Sequence, residues 1–325
     1  MTQNYLVTGS AGFIGSKVTE FLLNQGHAVT GVDNMNDAYD VRLKEWRLRR
    51  LLEKPKFTFA QSDISDKVAV RMVFASGPEY QAVINLAARA GVRQSVENPW
   101  VYVDTNITGT LNLLELCKDF GVPKFVLAST SSLYGSNNPQ PFTESANTDS
   151  PLSPYAASKK AAEAFAYNYH FLYNIDVTVL RYFTVYGPAG RPDMSLFRFV
   201  KWIGEGVPVL VNGDGRQTRD FTYVDDIARG TIAGLKPVGY EIVNLGSDTP
   251  TTLTETIKII EHLLEKKAKI VHGPIHPADV PSTWANISKA EKLFGWRPQV
   301  SIEQGLIHLV QWYRENQSWA SQLST

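Results

Sequence analysis

Short apolar runs alternate with amphipathic stretches through the first half of this 325-residue chain. The runs are nearly continuous in Val, Ile, Leu, Ala and Phe, which is typical of parallel strands buried on both faces. Strands are predicted at residues 5–8, 28–32, 57–61, 82–86, 125–129 and 177–182. Apolar residues at helical spacing predict helices at residues 13–25, 41–53, 67–75, 102–120 and 156–173. Strand followed by helix, repeated, predicts an α/β fold with a doubly wound parallel sheet.

The pattern changes after about residue 186, where prolines and glycines crowd the chain and the regular alternation ends. The length also exceeds what one hydrophobic core usually serves. We therefore expect a sheet domain over residues 1–186, to which residues of about 219–246 return. Residues 187–325 are expected to form mainly a smaller C-terminal lobe.

Charge and composition narrow the classes of protein. Lys plus Arg and Asp plus Glu number 32 each, so the net charge is zero, whereas a protein that binds nucleic acid by charge is usually basic. The basic run at residues 47–50 alternates with leucine, and we interpret it as a solvated helix face. The single cysteine, Cys117, lies in an apolar helical stretch and is predicted to be a buried structural thiol.

Neither a leader segment nor an apolar run of about 18 residues stands out, so we expect a cytoplasmic protein with no membrane partner. The six histidines are scattered, and none pairs with a carboxylate or thiol at the spacing of metal ligands. We therefore expect no metal site.

Three glycines, Gly9, Gly12 and Gly15, follow the first predicted strand and open the first helix. Glycines there let the backbone approach a dinucleotide pyrophosphate, whose charge is favoured by the helix N-terminus. A glycine-rich turn without a ligand is the alternative. Asp33 ends the next strand, where a carboxylate accepts the ribose hydroxyls of NAD and repels the 2′-phosphate of NADP. Asp63 follows the third strand and is either an adenine contact or a helix cap.

Tyr155 and Lys159 are one helical turn apart, so their side chains share a face. A free tyrosine ionises near pH ~10, and a neighbouring ammonium and a nicotinamide cation both favour its phenolate. Such a pair beside a nicotinamide cofactor is able to move a proton at neutral pH. The alternative is a tyrosine and a lysine that share an amphipathic helix by chance.

Together these motifs resemble the extended short-chain dehydrogenase/reductase family, in its nucleotide-sugar branch. The resemblance covers nearly the whole chain. Its motifs are Gly9-x-x-Gly12-x-x-Gly15, Asn85-Leu86-Ala87-Ala88, Asn106, Tyr155-x-x-x-Lys159 and the run from Arg219 to Asp226.

The resemblance implies a Rossmann domain that holds NAD, a general base at Tyr155, a lysine at 159 on the nicotinamide ribose, and a catalytic hydroxyl at Thr130. Without it, the hydroxyls near Thr130 indicate only a capped strand end. The cofactor contacts expected from the motifs are Gly9, Gly12, Phe13, Ile14, Gly15, Asp33, Asn34, Asp63, Ile64, Leu86, Ala87, Ala88, Asn106 and Lys159.

Within this family the residues after the catalytic Thr separate the reactions. The 4,6-dehydratases resemble this chain but carry an Asp-Glu pair there, and the decarboxylating branch carries a Glu two places after the Thr. Here the two positions are Ser131 and Ser132. The missing carboxylates favour simple epimerisation through a 4-keto sugar nucleotide.

The segment from Tyr182 to Met194 is similar to that of family members acting on UDP-glucuronate, with Thr at position 184, whereas hexose epimerases of the family have Asn there. Arg191 is a two-pronged donor suited to a carboxylate, although a local pair with Asp193 is the alternative. We also expect Thr184 and Ser131 around the sugar carboxylate. The expected reaction is reversible conversion of UDP-glucuronate to UDP-galacturonate.

The nucleotide end is expected in the C-terminal lobe. Arg219 resembles a diphosphate-binding residue of the family and Asp279 a ribose contact, and His276 stands where the family often has Arg. Lys201 has no motif to support it. Arg89 is expected on phosphate or carboxylate. The substrate contacts expected in all are Arg89, Ser131, Ser132, Thr184, Arg191, Arg219 and Asp279.

Rival interpretations remain open at this stage. They are a UDP-glucose or N-acetyl-sugar 4-epimerase, a UDP-glucuronate decarboxylase, and a non-catalytic NAD-binding sensor. The resemblance also suggests a homodimer that pairs the helices at 102–120 and 156–173. Apolar residues expected on the second face are Phe165, Tyr169 and Leu172.

Overall fold

The computed structural model describes residues 2–275 and 279–325. Its largest feature is a parallel seven-stranded sheet, in the order β10-β6-β5-β4-β1-β2-β3. This confirms the predicted α/β fold with a doubly wound sheet. The elements up to the sixth strand are β1 (Asn4–Thr8), α1 (Phe13–Asn24), β2 (Ala28–Asp33), α2 (Arg42–Leu52), β3 (Phe57–Gln61), α3 (Lys67–Ser76), β4 (Ala82–Asn85), α4 (Val92–Glu97), α5 (Trp100–Tyr102), a π-helical segment (Val103–Thr108), α6 (Gly109–Phe120), β5 (Lys124–Thr130), a 3₁₀ turn (Ser131–Tyr134), α7 (Pro154–Tyr173) and β6 (Asp176–Tyr182).

The remaining elements divide between the sheet and the smaller lobe. They are β7 (Thr184–Tyr186), α8 (Ser195–Glu205), β8 (Pro208–Asn212), β9 (Thr218–Tyr223), α9 (Val224–Ala233), β10 (Tyr240–Leu245), β11 (Pro250–Thr252), α10 (Leu253–Leu264), β12 (Lys269–Gly273), α11 (Ser288–Phe294), α12 (Ile302–Glu315) and α13 (Gln317–Ala320). Strand β10 pairs with β6 at one edge of the large sheet. Strand β9 instead belongs to a three-stranded sheet with β7 and β11, and β8 pairs with β12.

Burial explains why the strands were predictable within one or two residues. Every residue of β5 and of β4 is buried, and so is every residue of β6 after Asp176. Helices cover both faces of the sheet, so these strands need apolar side chains on both sides and appear in the sequence as continuous apolar runs. Cys117 on α6 packs inside the same core, and burial raises the pKa of its thiol well above the usual range. The prediction of a buried structural thiol is confirmed.

Two local expectations were wrong. The helix predicted at 102–120 is interrupted by the π-helical segment Val103–Thr108. The basic run on α2 is not uniformly solvated: Arg47 is only 3% exposed, whereas Arg49 and Arg50 are exposed. The reason is that α2 packs against the C-terminal lobe as well as the sheet, with Trp46 in edge-to-face contact with Trp312.

A spanning helix needs roughly 20 apolar residues. Within residues 2–275 and 279–325, no helix combines the length and apolar character that crossing requires.

Candidate active site

One cavity of about 620 Å³ lies at the carboxyl ends of the central strands and extends into the smaller lobe. Strands β1 and β4 are neighbours in the sheet although they are not consecutive in the chain. This is the switch point at which doubly wound sheets bind ligands. Most of the residues singled out in the sequence line this cavity, so residues far apart in the chain meet at one place.

The glycine loop has the geometry of a phosphate cradle. Gly9 has a φ of +69°, and a Cβ on Gly15 would lie 2.0 Å from the carbonyl oxygen of Gly9. Helix α1 begins after Gly12 without a side-chain cap, so its first N–H groups have no side-chain acceptor there. A helix N-terminus of this kind binds anions. The loop therefore fits a pyrophosphate, and Phe13 and Ile14 line the cavity beside it.

The next part of the cavity is lined by side chains that follow β2 and β3. The Asp33 carboxylate accepts the backbone N–H of Ala11 at 3.2 Å and pairs with the Lys44 ammonium at 3.2 Å. Asn34 donates to Asp63 at 2.7 Å. Asp63 also accepts the backbone N–H of Ser65, so it closes a turn. The sequence did not single out Lys44, which has no motif around it.

Burial and hydrogen bonds act oppositely on Asp63. Burial raises its pKa, but the donors from Asn34 and Ser65 outweigh burial and lower the pKa below its ordinary value. The helix that follows is capped by Asp66 instead. Asp63 therefore stays charged beside the cavity, next to Ile64, which also lines it.

The residues predicted to move a proton come from two elements. Ser153 caps α7 by accepting the backbone N–H of Ala156 at 3.2 Å, which places Tyr155 in the first turn and Lys159 one turn later. Strand β5 ends at Thr130, whose hydroxyl accepts the backbone N–H of Ser132 at 3.1 Å. The side chains of Tyr155, Lys159 and Thr130 all face the cavity.

Burial is the largest influence on both titrating groups. It raises the pKa of Tyr155, against a hydrogen bond with the Thr130 hydroxyl and the nearby charge of Arg191. It lowers the pKa of Lys159 to about 8, against the negative charge of Glu163. Glu163 is itself held by Arg181 through bonds of 2.9 and 2.7 Å. At the proposed proton-transfer site, Lys159 is thus buried and Tyr155 half-buried, with fixed charges beside them.

Arg191 lies beside the same end of the cavity. Its guanidinium pairs with Asp193 through bonds of 3.1 and 2.6 Å, which is the local pairing weighed from the sequence. A third contact, at 3.4 Å, goes to the carbonyl oxygen of Ala90. The charge of Arg191 nevertheless lowers the pKa of the Tyr155 phenol, in opposition to burial. Thr184 and Ser131 also line the cavity.

The sequence missed two arginines in the lobe half of the cavity. Arg93, in α4, forms an ion pair with Asp279 and lies 2.7 Å from the side-chain amide of Asn212. Arg198, in α8, has a guanidinium carbon 4.4 Å from the ring centroid of Trp202, and its buried Nε has no hydrogen-bond partner. Isolated arginines in apolar helices carry no motif, so spacing alone does not reveal them.

The cluster of Arg93, Arg198 and Arg219 is strongly positive. Burial and then the charge of Arg93 lower the pKa of Arg198. Burial also lowers the pKa of Arg219, with Asp279 opposing and Arg93 adding to the effect. A multivalent anion bound among these guanidiniums would reduce the repulsion between their positive charges.

Some predicted residues are placed elsewhere. Arg89 and Asn106 are not among the residues that line the cavity. Asn106 is buried and holds the backbone of Arg89 and the hydroxyl of Ser158, the latter at 2.9 Å. Lys201 bonds to Glu205 and lies outside the cavity. His276 falls outside the described residues. Leu86, Ala87, Ala88 and Ser132 do line the cavity.

The carboxylates of the cavity bear on the type of reaction. Those that line it within the described residues are Asp33, Asp63, Asp193 and Asp279. Each accepts from a neighbouring side chain, and none stands beside Thr130. No cluster of His, Cys, Asp or Glu among residues 2–275 and 279–325 has the arrangement of a metal site.

A doubly wound sheet with a glycine cradle and a Tyr-Lys pair beside it defines the class of extended short-chain dehydrogenases/reductases. A family model described as GDP-mannose 4,6 dehydratase matches residues 6–309, and this chain belongs to that family. The family resemblance seen in the sequence is thereby confirmed.

Individual proteins of this family resemble the chain over almost its whole length. The chain is 62% identical over 313 residues, 96% of each chain, to a UDP-glucuronate 4-epimerase of Thermodesulfobacterium geofontis. The solved UDP-glucuronic acid 4-epimerase from Bacillus cereus, in complex with UDP-glucuronic acid and NAD, matches with a TM-score of 0.90. That match has 36% identity and covers 97% of this chain and 100% of the other. A UDP-glucose 4-epimerase with UDP-glucose from Thermotoga maritima matches with the same TM-score at 32% identity, covering 97% of this chain and 100% of the other.

Proposed function

We propose that this protein is an isomerase that interconverts UDP-glucuronate and UDP-galacturonate by inversion at C4, with NAD as a tightly held and recycled cofactor. The observation that carries the proposal is Tyr155, Lys159 and Thr130 facing one cavity, with Arg191 beside them and serines where related branches carry carboxylates. The 62% identity to a named UDP-glucuronate 4-epimerase supports the choice of sugar.

The cofactor fits the sheet half of the cavity. The glycine loop and the start of α1 would hold the pyrophosphate, and Asp33 with Asn34 would bind the adenosine ribose. Asp63 and Ile64 would border the adenine, and Lys159 would bind the nicotinamide ribose. When bound, NAD supplies a positive ring and reversible hydride chemistry, by which C4 of the sugar is oxidised to a ketone and then reduced on either face.

The chain's own residues move the proton. Tyr155 takes the proton of the 4-hydroxyl as hydride leaves C4, and gives it back when hydride returns. The charge of Lys159 stabilises the phenolate in a water-poor site, and the Thr130 hydroxyl holds the reacting oxygen in place. Ser131 and Ser132 have no carboxylate with which to eliminate water, so the return of hydride is the productive step that follows the ketone.

The uronate carboxylate is assigned to Arg191, Thr184 and Ser131. Arg191 Nη1 takes no part in the contacts with Asp193 and Ala90, so it would donate to the sugar carboxylate while Asp193 fixes the Nε–Nη2 edge of the guanidinium. A planar guanidinium held on one side is well suited to a carboxylate on the other.

The nucleotide end is assigned to the lobe. Arg93, Arg198 and Arg219 would share the diphosphate, whose charge relieves their mutual repulsion. Asp279 is assigned to the uridine ribose, and its pairing with Arg93 places both at the same end of the cavity. Residues 1–186 would then hold the cofactor and residues 187–325 mainly the UDP-sugar, with Arg93 of the first region reaching the nucleotide end. Of the segment 219–246, β10 returns to the large sheet, whereas β9, which carries Arg219, belongs to the small sheet.

A homodimer through α6 and α7 is part of the proposal. Phe171 is 73% and Leu172 55% exposed on α7, whereas Tyr169 is only 6% exposed and packs in the core, as does much of Phe165. Of the three residues predicted for that face, Leu172 alone suits it well. Leu172→Glu is expected to give a monomer by light scattering, and an unchanged mass would argue against this interface. A cytoplasmic location stays a prediction.

The function is tested by incubating the protein with UDP-glucuronate and with UDP-glucose separately and identifying the products by NMR. We expect UDP-galacturonate from the first. Conversion of UDP-glucose alone would indicate a hexose epimerase, and a pentose nucleotide as the main product would indicate a decarboxylase. No conversion of either sugar would indicate a sensor.

A further inference from the structure

Arg47 makes a buried set of contacts that the assigned reaction does not use. Its side chain leaves α2 and is only 3% exposed. Nε and Nη2 donate to the carbonyl oxygen of Ala189 at 3.1 and 2.6 Å. Nη1 donates to the carbonyl oxygen of Ala11 at 3.1 Å and to the Tyr39 hydroxyl at 2.8 Å.

These three acceptors belong to three separate parts of the site. Ala11 is in the glycine loop, Tyr39 in the segment between β2 and α2, and Ala189 in the loop that carries Arg191. One planar guanidinium therefore ties the cofactor cradle to the loop assigned to the sugar carboxylate. A fork of five donors is suited to such a task, since a single ammonium has no fixed plane.

Aromatic rings extend the connection. The guanidinium carbon of Arg47 lies 5.8 Å from the ring centroid of Phe13 and 5.6 Å from that of Tyr39. The Tyr39 ring in turn lies 5.7 Å from the guanidinium carbon of Arg191. The row from Phe13 through Arg47 and Tyr39 thus ends on Arg191, at the favourable distance of cation–π contacts.

Structural packing alone does not account for a buried guanidinium here. Burying a charge is costly unless it is paired, and the acceptors of Arg47 are neutral oxygens. Ala189 also has a φ of +51°, which is uncommon for a residue other than glycine. The two bonds from Arg47 hold the Ala189 carbonyl in this conformation, two residues before Arg191.

We propose that Arg47 is a positioning residue that fixes the loop of Arg191 against the cofactor cradle and so keeps the substrate carboxylate in an unreactive orientation. This inference rests on the proposed function. A 4-keto uronate is a β-keto acid. When its C5–C6 bond stands perpendicular to the ketone plane, that bond breaks, carbon dioxide leaves, and the electron pair forms the C4–C5 enolate.

The remainder of that side reaction balances with what the first half-reaction supplies. The enolate takes a proton at C5. The hydride that was removed from C4 then returns to C4, which yields a UDP-pentose. A looser Arg191 allows the C5–C6 bond to rotate toward the perpendicular. The share of pentose among the products therefore reports how firmly the carboxylate is held, and it does not depend on how much of the enzyme is folded.

The test compares Arg47→Met and Arg47→Lys with Arg49→Met, which removes an exposed arginine from the same helix. Products from UDP-glucuronate are separated by chromatography, and the pentose share is measured at equal turnover. We expect the pentose share to rise roughly tenfold or more for Arg47→Met, because losing the hydrogen bonds of a charged group frees the loop of Arg191. Arg47→Lys is expected to fall between that variant and the wild type, and Arg49→Met to match the wild type.

The outcomes separate this inference from the proposed function. Wild-type enzyme that makes no UDP-galacturonate would overturn the function itself. Wild-type epimerisation with an unchanged pentose share in Arg47→Met would overturn only the role of Arg47. If Arg47→Met does not fold, Arg47→Lys decides alone, because a pentose share equal to that of the wild type would contradict the proposal.

Discussion

The two halves of the cavity are built differently. On the catalytic side, Thr130 ends a wholly buried strand and Tyr155 and Lys159 lie in the first turns of a capped 20-residue helix. On the substrate side, arginines reach in from a loop, from the helices α4 and α8 and from strand β9 of the small sheet, and charge partners and an aromatic ring hold some of them. The proposed chemistry thus rests on regular elements of the sheet domain. The proposed choice of substrate rests on side chains whose positions depend on distant parts of the chain.

The largest effect is expected from breaking the catalytic side. Tyr155→Phe removes the general base and should lower kcat by roughly 10²- to 10⁴-fold, because that is what positioned proton transfer contributes. Binding of UDP-glucuronate should change little. The control is Tyr167→Phe, an exposed tyrosine on the same helix, which should leave turnover intact. A small loss of kcat in Tyr155→Phe would mean that another group moves the proton.

On the substrate side, the loss should appear in affinity. Arg93→Met removes one guanidinium from the diphosphate cluster and leaves Asp279 without its partner. A hydrogen bond to a charged group is worth roughly 1.5–3 kcal/mol, so KM should rise roughly tenfold or more with kcat nearly retained. The matched control is Arg216→Met, since that arginine is 88% exposed in the same lobe. A fall in kcat at constant KM would remove Arg93 from the nucleotide site.

A smaller change is expected at the cofactor's ribose. Asp33→Ser removes the carboxylate that would accept the NAD ribose hydroxyls and frees Lys44 from its ion pair. The ratio of NADP to NAD affinity, measured by calorimetry, should rise by about tenfold or more, in line with one charged hydrogen bond. An unchanged ratio would show that Asp33 does not discriminate between the cofactors.

The smallest effect concerns pH. Burial lowers the pKa of Lys159 to about 8, so its charge is present below that pH and lost above it. The kcat/KM profile should therefore fall above about pH 8. The charge of Glu163 raises the pKa of Lys159, so Glu163→Gln should move the alkaline limb of the kcat/KM profile to lower pH. A limb that stays in place or moves upward would contradict the assignment of the charge to Lys159.

The strands, the glycine loop and the Tyr155–Lys159 turn could be located from the sequence for a physical reason. Buried parallel strands demand continuous apolar runs, and a glycine cradle and a Tyr-x-x-x-Lys turn are short local patterns. The sequence did not reveal the roles of Arg47, Arg93 and Arg198, because their contacts come from distant parts of the chain. Arg47 bonds to a carbonyl 142 residues away, and Arg93 to a carboxylate 186 residues away. Arg47 lies on an amphipathic helix, and the residues around it in the chain do not distinguish it from a solvated arginine. Its burial depends on the lobe that packs against the helix.

The most direct test of the account follows the hydrogen at C4. UDP-glucuronate carrying deuterium at C4 is incubated in ordinary water, and the product is examined by NMR and mass spectrometry. Hydride that leaves and returns within one site, with Tyr155 handling only the hydroxyl proton, predicts UDP-galacturonate that retains the deuterium at C4. Loss of the deuterium to solvent would contradict that mechanism.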